Sequence, residues 1–121
     1  SLGLDFLRKA RIPAMVLSTE KHPVVAARCQ KLKLPCHQGI GNKKEYLAKY
    51  LKTQKIKAKN VVYVGNDVND LECFRFVGFA AAVADSDPKI LAEADYISTH
   101  LGGRGAVREI CELILENNAR R

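Results

Sequence analysis

An α/β fold, one parallel sheet layered between helices, is predicted by three features of the sequence. Apolar runs of strand length alternate with helical patterns from end to end. The connections between them are too short for anything but βα units. The run Val61-Val62-Tyr63-Val64 is continuously apolar and mostly β-branched, which suits a strand covered on both faces.

Taken in order, residues 2–10 put Leu2, Leu4, Phe6, Leu7 and Ala10 mostly on one helix face, and Arg11-Ile12-Pro13 ends that helix. Residues 14–17 form a short buried strand that stops at Ser18-Thr19-Glu20. Hydroxyls in that place can either cap the next helix or hold a phosphate. Pro23 suits the first turn of a helix over residues 22–33, with Val24, Val25, Ala26, Ala27 and Leu32 available to the core and Arg28, Lys31 and Lys33 to solvent. Residues 34–38 make a weak strand whose proline predicts an edge position. Gly39-Ile40-Gly41-Asn42 is a loop, and Lys43 stands at the mouth of a helix over residues 44–53. A lysine there opposes the macrodipole by roughly a few tenths of a kcal/mol, which invites a functional explanation beside the simpler one of a solvated side chain.

Beyond the strand at 61–64 the pattern predicts a helix over 68–76 and a strand over 79–83. Asp87 as N-cap and Pro88 in the first turn then open a short helix over 89–94. A strand over 96–98 and a basic loop, Leu101-Gly102-Gly103-Arg104-Gly105, lead to a closing helix over 106–117 with Val107, Ile110, Cys111, Ile114 and Leu115 inward. There is no internal repeat and no low-complexity segment.

The chain has 121 residues, 47% hydrophobic and 27% charged, an ordinary composition for one globular domain. No apolar run approaches a membrane span and no secretion signal opens the sequence, so a cytoplasmic location without membrane contact is expected. Cys29, Cys36, Cys73 and Cys111 are scattered singly and read as free thiols serving as small hydrophobes. The net charge is +7, with much of the excess between Lys31 and Lys59. These lysines lie at helical spacing among apolar positions without interleaved arginine and aromatic residues, so they read as a solvated helix face and nucleic acid is not expected as a partner.

The most informative stretch runs from Val61 to Asp70. Asn66, Asp67 and Asp70 follow Gly65 at the carboxyl end of a strand, where open α/β sheets place their ligands. Gly65 is expected to free the backbone for the turn. Crowded carboxylates need a cation or a substrate proton, and an oxygen-lined site suits Mg²⁺. The alternative is an Asx-rich turn with Asp67 capping the next helix.

Hydroxyls after one strand, a lysine at a helix start and an acidic turn after a later strand are the three groups that a phosphate with its metal requires. Their order resembles the haloacid dehalogenase-like phosphatase superfamily. Leu17-Ser18-Thr19-Glu20, Gln38-Gly39 with Lys43, and the run from Tyr63 to Asp70 look like its capless branch, as do Val83-Ala84-Asp85 with Pro88 and the run from Gly102 to Glu109. That branch contains 3-deoxy-D-manno-octulosonate 8-phosphate phosphatase and the carboxy-terminal domain of N-acylneuraminate cytidylyltransferases. The resemblance implies a three-layer Rossmann-like sheet. It implies that Ser18 or Thr19 binds the transferring phosphoryl oxygen, and that Lys43 neutralises it and orients the nucleophile as the catalytic lysine. Asn66 takes the place of the Mg²⁺ ligand, with Asp67 and Asp70 shaping the metal shell. Arg104 and Arg108 contact an acidic sugar or a neighbouring subunit. The partners implied are an acidic sugar phosphate and further copies of the chain, tetramers being common in the branch.

Two departures qualify what is implied. The phosphatases carry Asp where this chain has Asn66, and a neutral amide holds Mg²⁺ less strongly than a carboxylate. Asn in this place is more like the cytidylyltransferase-attached domains. The family's first motif, a strand ending in Asp-x-Asp, is absent. That strand is also the central one, between the strands at 14–17 and 61–64, and its loss would leave a gap of roughly 10 Å. The expectation is therefore a single, N-terminally incomplete haloacid dehalogenase-like domain over residues 1–121, part of a longer polypeptide. Alone it is not expected to hydrolyse phosphomonoesters, because the aspartyl-phosphate route has no first step. The leading functional reading is the phosphatase-like domain of an N-acylneuraminate cytidylyltransferase. The alternatives are a piece of a free-standing octulosonate or nonulosonate phosphatase and a catalytically inactive assembly module.

Overall fold

A computed structural model describes residues 2–119, with the side chains of 3–118. The elements run α1 (Leu2–Lys9), β1 (Val16–Leu17), α2 (Pro23–Leu32), β2 (Cys36–His37), α3 (Lys43–Gln54), β3 (Val62–Gly65), α4 (Leu71–Phe76), β4 (Phe79–Ala82), α5 (Pro88–Glu93), β5 (Tyr96–Ile97) and α6 (Ala106–Ala119). Short 3₁₀ turns at Ala58–Asn60 and Val68–Asp70 lead into β3 and α4. Every strand pairing is parallel, as the βα alternation requires.

The strands form two ladders, β1–β2 and β3–β4–β5, and among the described residues no ladder joins them; the break falls between the strands at 14–17 and 61–64, where the family's central strand is lacking. The chain accordingly divides into two compact units. One contains α1, β1, α2, β2 and nearly all of α6, and the other spans Asn42–Ala106.

In the first unit, α1 approaches α6 so closely that a Cβ on Gly3 would lie 3.0 Å from the Arg108 Cα and the Cys111 Cβ. Leu7, Cys29, Ile110 and Cys111 are its most deeply buried apolar side chains. The inward face of α2 is narrower than expected: Val24, Ala26 and Ala27 are exposed, and Val25, Cys29 and Leu32 line the packed stripe at helical spacing. Val107 likewise faces solvent, at the very start of α6. Just before β2, the Pro35 carbonyl accepts from the Val16 N–H at 3.0 Å, a role that asks no donor of the proline.

In the second unit, β4 is the middle strand and Ala80, Ala81 and Ala82 are fully buried, small enough for α4 and α5 to pack close against it. Among the described residues the strand β3 is paired on one side only. Its side chains alternate, with Tyr63 and Gly65 buried while Val62 and Val64 are 36% and 42% exposed. Coverage on both faces, expected from the unbroken apolar run, is not found among the described residues: side chains alternate along a strand, and the row holding Val62 and Val64 lies open on one face. The helix α5 opens as its sequence predicts, with Asp87 accepting from the Lys89 N–H at 2.9 Å and Pro88 in the first turn.

Candidate active site

The carboxyl end of β3 is built around Asp70. A 3₁₀ turn follows the strand and folds Asp70 back over Gly65, leaving the acid 3% exposed. Gly65 is required here for space and not for its dihedral angles, since its φ is not positive: a Cβ on it would stand 2.8 Å from the Asp70 Cβ, Cγ and Oδ2. The expectation that Gly65 frees the turn is corrected on this point. The N-capping alternative is realised at the same time, because Asp67 accepts from the Val68 N–H at 2.7 Å and forms a capping box with Asp70.

Both oxygens of Asp70 are engaged. Oδ1 accepts from the Tyr63 hydroxyl at 2.5 Å and from the Lys43 ammonium at 3.0 Å. Oδ2 accepts from the Asn66 N–H at 3.0 Å and the Asp67 N–H at 3.2 Å. Burial works to raise the Asp70 pKa, but the hydrogen bonds from Tyr63, Lys43 and the Asn66 N–H, together with the Lys43 charge, outweigh it and hold the carboxyl below its ordinary value. Burial and the adjacent Asp70 carboxylate push the Tyr63 phenol far above its ordinary value, so it stays a donor.

Lys43 is the first residue of α3, whose start is capped by the Asn42 side chain accepting from the Glu45 N–H at 2.9 Å. Its placement against the macrodipole now has its explanation. The side chain is 11% exposed and is drawn into the ion pair with Asp70, itself 4% exposed at the side chain. Lys43 is therefore a fixed positive charge and not a solvated lysine. The other lysines from Lys31 to Lys59 lie on the surface or, for Lys44, over the Phe76 ring at 5.1 Å, in agreement with the solvated face expected of them.

The geometry divides the expected metal residues. Asp70 serves as an anchor whose four acceptor positions are filled, whereas Asn66 and Asp67 are exposed beside it. Among the described residues no cluster of three or more His, Cys, Asp or Glu is arranged to hold a metal ion. Mg²⁺ retains several waters and is commonly held by one or two carboxylates plus substrate phosphate, so the Asn66 and Asp67 oxygens fit a hydrated ion completed by other ligands.

Asp85-Ser86-Asp87 follows β4 with the spelling Asp-x-Asp, but its carboxylates have structural partners. Asp87 caps α5, and Asp85 accepts from the Gly102 N–H at 2.9 Å. Arg104, in the Gly102–Gly105 loop, is exposed. In the other unit, Arg108 on α6 is exposed and pairs with Glu112 at 3.1 Å. Ser18 and Thr19 end β1 in that unit. Ser18 accepts from the Glu20 N–H at 3.0 Å and Thr19 is exposed; the cap of α2 is the His22 ring, accepting from the Val24 N–H at 3.1 Å. Of the two uses foreseen for these hydroxyls, capping is thereby ruled out. The residue that sequence reasoning missed is Tyr63, read there only as part of an apolar strand. Its signal was the hydroxyl itself, since a buried phenol needs a partner.

A model of the haloacid dehalogenase-like hydrolase family matches residues 37–110. The 3-deoxy-D-manno-octulosonate 8-phosphate phosphatase of Escherichia coli K12 is 38% identical over 114 residues, covering 93% of this chain and 61% of the enzyme. The chain thus spans about three fifths of the length of the curated relatives it matches. The same phosphatase of Moraxella catarrhalis, solved in complex with a magnesium ion, a phosphate ion and a 3-deoxy-octulosonate molecule, superposes with a TM-score of 0.90 at 34% identity, over 95% of this chain and 67% of that one. The cobalt-bound phosphatase of Haemophilus influenzae gives a TM-score of 0.89 at 30% identity, over 95% and 68%. No helix among the described residues is long and apolar enough to cross a membrane. A family model covering more than half of the sequence, together with these relatives, places the chain among the haloacid dehalogenase-like hydrolases.

Proposed function

We propose that this chain supplies the phosphate-binding lysine and the metal-facing turn of a phosphatase centre that acts on an acidic sugar phosphate of the 3-deoxy-octulosonate 8-phosphate type. The observation that carries the reading is the Lys43–Asp70 pair, a fixed positive charge held at the carboxyl end of β3. Identity to the octulosonate phosphatases over 93% of the chain supports the substrate class. These relatives favour a phosphatase over the cytidylyltransferase-attached domain that headed the sequence-based readings.

In this reading Lys43 donates to a phosphoryl oxygen while one N–H remains on Asp70, so the ammonium neutralises charge without leaving its anchor. The family resemblance gives Ser18 or Thr19 the role of hydroxyl donor to the phosphoryl group, and Asn66 and Asp67 hold a hydrated Mg²⁺. When bound, the ion offsets negative charge on the transferring phosphoryl group. Asp70, Asp85 and Asp87 each hold structural partners, so none of these three is given the attacking role. Arg104 and Arg108 meet the sugar carboxylate or a second copy of the chain in a homo-oligomer. Asn66, where the phosphatases carry Asp, favours one second reading, in which the same domain is attached to a cytidylyltransferase and binds metal weakly.

The test is phosphate release by the natural polypeptide that contains this sequence. With Mg²⁺, release from 3-deoxy-octulosonate 8-phosphate or a nonulosonate 9-phosphate should exceed that from glucose 6-phosphate by at least tenfold and stop with chelator. Equal rates on all three sugars would overturn the substrate class. No release from any of them, with assembly lost when the domain is deleted, would identify an inactive assembly module.

A further inference from the structure

The four hydrogen bonds on Asp70 are unequal in what they fix. The Asn66 and Asp67 N–H groups belong to the turn that carries Asp70, so they hold Oδ2 but only relative to that turn. Lys43 reaches Oδ1 on a side chain with four rotatable bonds, and such a partner follows an acceptor without setting its position. Tyr63 differs from both. It stands on β3, opposite the fully buried Ala80 in the ladder, and is itself 8% exposed. Its ring meets the edge of Phe74 with centroids 6.0 Å apart at 80°. The hydroxyl is therefore a donor on a rigid mount, and its bond to Oδ1, at 2.5 Å, is the shortest of the four.

We infer that Tyr63 is a positioning residue: through Asp70 its hydroxyl sets where the Lys43 ammonium stands relative to the sheet. The inference deepens the proposed phosphatase reading and rests on it for its catalytic consequence. The chain of contacts runs from ladder to phenol, from phenol to carboxylate, and from carboxylate to ammonium. A catalytic contact displaced by about 1 Å can cost about a hundredfold in rate, so a donor that acts only through Asp70 still matters to the reaction. Replacing the phenol by phenylalanine keeps the ring, its packing and the strand, and removes the hydroxyl with its bond to Oδ1 and its contact with the Cys73 thiol. The carboxylate then swings about Oδ2 and carries Lys43 with it.

The experiment compares Tyr63→Phe with Ile110→Val, which trims a deeply buried side chain of α6 and leaves the Tyr63 ring, its packing and its hydroxyl in place. In the 121-residue chain, NMR of the Lys43 side-chain ammonium reads its hydrogen bond directly. Tyr63→Phe should shift that signal and hasten its exchange with water by tenfold or more, whereas Ile110→Val should lower the melting temperature and leave the signal in place. In the natural polypeptide, Tyr63→Phe should lower kcat about tenfold with KM changed less than twofold, and Ile110→Val should alter neither. An ammonium signal unmoved by Tyr63→Phe, or moved equally by Ile110→Val, would overturn the inference. Absence of any phosphate release would sink the functional reading alone, and the Lys43 signal would still decide for or against Tyr63.

Discussion

Asp70 joins a helix start, a strand and a turn through one carboxylate, and its energetics follow from burial. Asp70→Asn leaves the Lys43 ammonium without its counter-charge at a site where the two side chains are 11% and 4% exposed. Breaking a buried pair from one side costs about 3–5 kcal/mol, and urea unfolding at pH 7 should show a loss in that range. The pH dependence has a definite sign. The folded Asp70 carboxyl titrates below the unfolded value of 3.8, so its contribution is present above that value and is lost as pH falls through the folded one. The stability gap between wild type and Asp70→Asn should accordingly close in strong acid. A gap that persists there would show that the carboxylate charge is not its source. Lys43 was legible in sequence for the same physical reason, as a cation set against a helix dipole.

At the scale of elements, β3 and the turn after it are matched through Gly65. In Gly65→Ala the new methyl would stand 2.8 Å from three atoms of Asp70, and overpacking of this kind costs about 1–3 kcal/mol. The acid would be pushed from the Asn66 and Asp67 N–H groups, so hydrogen exchange at those two amides should quicken with the fall in melting temperature. Unchanged protection there would mean that Gly65 has another role. Element order and type were readable from alternation of period, and Asp87-Pro88 marked its helix start within a residue. Strand ends were less readable: residues 14–17 gave only Val16–Leu17, since a two-stranded ladder supports few paired positions. The faces of α2 were misjudged because alanine and valine at adjacent positions carry no information about which side packs.

For the molecule as a whole, the family was legible from the spacing of Ser18, Lys43 and the Asn66–Asp70 turn, groups scattered through the chain. What each residue does inside the turn was not, because Asn66, Asp67 and Asp70 have similar chemistry and differ only in what covers them. The acid that looked like metal shell is the one whose acceptors are filled, and the pair beside it is exposed. The proposed phosphate centre, organised around a buried lysine, makes one demand above the others, which is that removing the ammonium removes the chemistry. Phosphate release from 3-deoxy-octulosonate 8-phosphate by the natural polypeptide, with Mg²⁺ present and Lys43→Ala beside wild type, tests this most directly. Wild type should release phosphate and a folded Lys43→Ala should be slower by about a hundredfold or more; equal rates in the two would contradict the assignment.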